Sequence, residues 1–85
     1  MVNTFSLSVA LKMWRQSKQI SLPEVERMTG MPQATFGRYE RREGNLPGVP
    51  NMLHMSKILN LPINQIIEMA EYDISLNKES KQKDQ

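Results

Sequence analysis

Apolar residues recur along this chain at helical spacing, and the polar positions between them mark where each helix starts and stops. Leu7, Leu11 and Trp14 form one stripe, with Lys12, Gln16 and Lys18 on the wet side. This predicts a first helix capped by Ser6 or Ser8 and closed at Gln19. The second helix has a sharper start. Ser21 and Glu24 form an S-x-x-E capping box, and Ile20 and Val25 stand at the two staple positions. Pro23 falls in the first turn, where a missing N–H does little harm. Gly30 suits a left-handed stop after Thr29.

A third helix is expected from Pro32 or Gln33. Steps of about 100° per residue separate its faces. Phe36, Tyr39 and Glu40 share one side with Pro32. Ala34, Gly37, Arg38 and Arg41 take the other, with Gln33 and Thr35 on the flanks. The side with two aromatics reads as core, and the other is small, polar and basic. The run RREGNLPG is a loop rich in turn formers. A fourth helix from about Val49 to Leu59 is expected to bury Val49, Met52, Leu53, Ser56 and Leu59, with Asn60 as a left-handed cap. A fifth starts after Pro62 and carries Ile63, Ile66, Ile67 and Ala70. Tyr72, Ile74 and Leu76 then alternate with polar residues, a period of two. The charged stretch NKESKQKDQ predicts a disordered polar tail over 77–85, behind a domain over 1–76.

The length of 85 residues allows one small domain, with a modest core. There is no cysteine, so no disulfide and no thiolate metal site. No metal-ligand spacing occurs and no cofactor is implied. No apolar run reaches the length of a membrane span, and the N-terminus lacks the order of a signal peptide. The expectation is a soluble, cytoplasmic protein. Lys12, Arg15, Lys18, Arg27, Arg38, Arg41 and Arg42 outnumber Glu24, Glu26, Glu40 and Glu43 in the first half. That bias fits a nucleic-acid surface and, equally, a mixed solvated one. His54 is the single histidine and has no evident partner, so an enzyme is not expected.

Four segments together resemble the Cro and phage-lambda-repressor family of helix-turn-helix domains. They are LKMWR at Leu11–Arg15, VERMTGM at Val25–Met31, FGRYER at Phe36–Arg41, and PGVPNMLHMSKILNLP at Pro47–Pro62. The resemblance spans most of the chain and implies an all-α, compact five-helix domain whose third helix enters the DNA major groove. The family often pairs an arginine late in helix 1 with a glutamate ending helix 3, here Arg15 and Glu40. Physical chemistry argues for the same pair, since an unpaired carboxylate beside aromatics is expensive. The chain departs from the family at three positions. Leu22 stands where glutamine is common, Pro32 where a Ser or Thr cap is usual, and Gly37 lies inside helix 3. Gly37 admits two readings, close approach to base edges or simply a small exposed residue.

The resemblance implies a partner, double-stranded DNA, and a role as a small transcriptional repressor. The N-terminal part of such a helix meets base edges. Gln33 is suited to adenine, Arg38 to guanine, and Ala34 to a thymine methyl, with Gly37 beside them. Thr35, Arg41, Arg42 and Asn45 are placed for phosphates. The family generally binds palindromes as homodimers, and Tyr72, Ile74 and Leu76, with Val2 and Phe5, are the candidate joint. The alternative is a protein-interaction adaptor on the same fold, an antitoxin or antirepressor. With no room for a ligand-sensing domain, control would come from abundance, dimerisation or a regulatory protein partner.

Overall fold

The computed structural model describes residues 6–43 and 45–83, with side chains through Asn77. These residues form five α-helices and, among them, no strand. The helices are α1 (Leu7–Lys18), α2 (Leu22–Thr29), α3 (Gln33–Glu40), α4 (Val49–Leu59) and α5 (Ile63–Lys83). α1 packs against α3, α4 and α5, while α2 leans on α3 and α4 on α5. Between them lies one core of Leu7, Leu11, Val25, Met31, Phe36, Met55, Ile66, Met69 and Ala70, all buried.

Local chemistry sets most of the helix ends. Ser6 caps α1, accepting the Val9 N–H, and Gln19 closes that helix in the left-handed region. Ser21 caps α2 by accepting from Glu24 N at 3.4 Å. Only half of the capping box forms, because the Glu24 carboxylate turns to Arg27 instead. Gly30 ends α2 at φ +84°, where any side chain is strained, and its N–H returns to Glu26 O at 2.9 Å. Asn60 ends α4 at φ +58°, and its N–H meets Ser56 O.

Two expectations fail in the second half. The buried face of α4 is not the one the pattern suggests: Val49 and Leu53 are 61% and 46% exposed. Met55 is fully buried and Met52, Ile58 and Leu59 pack partly against the core. This is a rotation of roughly 80° about the helix axis. Both arcs of α4 are apolar, and the wider one, with four large side chains, takes the core.

The alternation at Tyr72, Ile74 and Leu76 does not interrupt the helix either. α5 continues through Lys83. On a helix, residues 66, 69, 70, 73 and 77 share one side. Ile66, Met69 and Ala70 are buried there, and so is Asp73, at 8% exposure. Asp73 caps the far end of the fold. Its carboxylate accepts the Ser6 hydroxyl at 2.5 Å and the buried Ser8 N–H at 2.9 Å. One turn on, Asn77 Nδ2 donates to Arg42 O at 2.6 Å. α5 therefore ties down both the start of α1 and the loop after α3, which is why it does not stop where the apolar residues thin out.

Asp73→Ala leaves the buried Ser8 N–H without its acceptor. It is expected to lower stability in urea unfolding by about 1–3 kcal/mol. A loss below about 0.5 kcal/mol, the scale of a neutral surface change, would show that this contact does not hold α5 in place.

Candidate functional site

The site is built on α3, and what positions it is an ion pair beneath it. Arg15 Nε donates to Glu40 Oε2 at 2.6 Å and Arg15 Nη2 to Glu40 Oε1 at 3.0 Å. The third nitrogen, Nη1, donates to Ile20 O at 3.1 Å. One planar guanidinium thus binds the end of α3 and the start of the turn into α2 at once. Glu40 is 7% exposed and Arg15 26%. The hydrogen bond to Glu40 raises the Arg15 pKa, burial lowers it, and the nearby charge raises it again, with a net upward shift. Trp14 lies against Phe36, ring centroids 6.0 Å apart and tilted by 51°, and the Lys18 ammonium lies over the Trp14 ring, 5.7 Å from its centroid.

The opposite side of α3 faces outward. Ala34 and Arg38 are exposed there and Thr35 is half-buried, while Gln33 is exposed at the N-terminal end of the helix, on the same side as Glu40. Burial pushes the Tyr39 phenol up, and the neighbouring Arg38 charge pulls it back in part. Gly37 is not among the outward residues. It is buried, and a Cβ placed there would lie 3.3 Å from Leu22 Cδ1 and 3.2 Å from Arg41 Nη1. Gly37 sits at the border between the two faces of α3, and Leu22 of α2 closes over it. It is a notch for helix packing and not, as expected, a surface for base reading.

Beyond α3 the basic residues are less free than their exposure suggests. Arg41 is paired with Glu43, Nε to Oε2 at 3.2 Å, both about half exposed. Arg42 is half-buried at φ +61°, a region that non-glycine residues seldom occupy, and its carbonyl is the one Asn77 holds. Asn45 is exposed. The three residues expected to form a joint do not share a surface. Tyr72 and Leu76 lie along one edge of α5, while Ile74 lies on the other edge with Ile63 and Ile67. Val2 and Phe5 lie outside the described residues.

One contact at the site has no counterpart in the sequence reading. The start of α3 has no side-chain cap of its own, since Pro32 offers none. Glu26 reaches across from α2 and accepts the Gln33 N–H at 3.1 Å. The signal was present in principle, as a carboxylate near a helix start is a common cap, but it comes from seven residues upstream on a different helix. Among the described residues no group of three or more histidine or acidic side chains is arranged to hold a metal ion, and no helix is long and apolar enough to cross a membrane.

Comparison of the chain with known protein families, with curated proteins and with solved structures found no match.

Breaking the ion pair from one side strands a desolvated charge. Arg15→Ala is expected to lose roughly 2–3 kcal/mol of folding stability, below the fully buried range because Arg15 is partly wet. Replacing both members, Arg15→Met with Glu40→Leu, is expected to recover much of that loss in denaturant unfolding. Equal losses for Arg15→Ala and the double variant would show that the stranded Glu40 carboxylate carries no penalty of its own.

Proposed function

We propose that the outward edge of α3 reads DNA, and that this protein is a sequence-specific double-stranded-DNA-binding regulator of the small repressor type. On this reading α2 and α3 are a helix-turn-helix of the lambda-repressor-like kind, acting in the cytoplasm. One observation carries it. A short helix offers Gln33 at its exposed start and Ala34 and Arg38 on the side away from the Arg15–Glu40 pair, which fixes the helix from behind. Such an edge has what a major groove requires: a carboxamide for adenine, a guanidinium for guanine, a methyl for thymine, and rigid support. Thr35, Arg41, Arg42 and Asn45 flank it and serve phosphates, which position the helix without reading sequence. The Arg41–Glu43 pair is exposed, and such pairs are weak, so a phosphate can replace the glutamate.

A single domain this small covers few base pairs, so the reading includes a homodimer on a palindromic site. The exposed Tyr72 and the half-buried Leu76, one turn apart on α5, support that joint; Ile74 does not belong to it. A second reading also has an observation behind it. Leu46, Val49 and Leu53 are exposed apolar residues after α3, the last two one turn apart on α4, and they suit a protein partner better than DNA. That favours an adaptor, an antitoxin or antirepressor, or a regulator held by another protein.

Selection of bound sequences from a random duplex pool separates the readings. The wild-type chain is expected to enrich one palindromic motif. Arg38→Ala is expected to lose about 1–3 kcal/mol of binding and relax one position of it. Arg42→Ala is expected to weaken all sequences alike and flatten the salt dependence by about one charge. An unchanged motif in the Arg38→Ala pool would remove Arg38 from base reading.

A further inference from the structure

The start of α3 carries a charge that its proposed role would not ask for. Glu26 accepts the Gln33 N–H at 3.1 Å and stands exposed on the outward side of α2. Its neighbour Glu24 is matched by Arg27, but among the described residues Glu26 belongs to no ion pair. A lone carboxylate therefore sits at the end of the helix that the DNA reading sends into the groove.

We propose that Glu26 is a specificity-determining residue of this surface, an inference that rests on the DNA reading of α3. The carboxylate accepts hydrogen bonds and cannot donate them. Beside a phosphate, or beside guanine O6 and N7, it meets only acceptors and repels them. Beside the N4 amino group of cytosine it accepts a hydrogen bond. It thus weakens binding to most duplexes and weakens it least where an amino group faces it. This is discrimination by penalty, in which a wrong partner is rejected and the right one merely tolerated. The contact to Gln33 N holds the carboxylate close to the side chain expected to read the adjoining base.

Glu26→Gln separates charge from capping, because the amide oxygen still accepts the Gln33 N–H. Wild type and Glu26→Gln, as full chains, are put through the same random-pool selection. Each is then titrated by fluorescence anisotropy with the selected duplex and with a scrambled one. Glu26→Gln is expected to bind the scrambled duplex about fivefold more tightly, the scale of one exposed charge contact. It should gain less on the selected duplex and lose a base preference beside the position read by Gln33. Glu26→Asp, which keeps the charge, should stay weak on the scrambled duplex. Equal gains on both duplexes with an unchanged motif would overturn the role of Glu26 while leaving the DNA reading intact. A wild-type chain that enriches no motif overturns both.

Discussion

The contact on which the arrangement depends is the bidentate pair between Arg15 and Glu40. Three donors of one guanidinium reach two carboxylate oxygens and the Ile20 carbonyl. α3 is only eight residues long, too short to be stable as an isolated helix. Its conformation comes from what it rests on: Phe36 in the core, Leu22 over Gly37, and Arg15 beneath its last residue. Buried charge is an uncertain source of stability and a better source of specificity of arrangement. Here the pair sets the height and rotation of α3 relative to α1, so its outer edge presents the same residues each time.

A second set of polar contacts works from the C-terminal side. Asp73 holds the start of α1 and Asn77 holds Arg42, so α5 spans the bundle from the first helix to the loop behind α3. Arg42 is kept at a positive φ by that loop. A change in α5 is therefore felt at the site's basic margin as well as in the core. If two copies meet through Tyr72 and Leu76, dimerisation engages the same helix that steadies the loop.

Much of this was legible in the residues, and the parts that were not share a physical cause. Ser21, Gly30, Gln19 and Asn60 act on the backbone within a few residues of themselves, so the helix ends could be read locally. The Arg15–Glu40 pair was legible because a carboxylate on an aromatic face demands a partner. The misread features depend on tertiary neighbours. α4 has apolar residues on two arcs, and only the rest of the bundle selects Met52, Met55, Ile58 and Leu59 over Val49 and Leu53. Leu22 and Gly37 look like two unrelated departures from the family the chain resembles, but they are one contact. Asp73 and Asn77 continue the buried side of Ile66, Met69 and Ala70 with polar residues, which hid the helix from a search for apolar period. Glu26 was counted as surface charge because its partner is a backbone N–H across a turn.

The central claim is that the exposed edge of α3, from Gln33 at its start to Arg38, is the surface that meets DNA. Amide chemical-shift mapping of the isotope-labelled chain, titrated at low salt with a mixed-sequence duplex, tests it most directly. The account predicts that the largest changes fall at Gln33, Ala34, Thr35, Arg38 and the loop at Arg41, Arg42 and Asn45, shrink as salt is added, and leave Leu11, Met55 and Ile66 unmoved. Changes centred instead on Leu46, Val49 and Leu53, or none at any salt concentration, would contradict it.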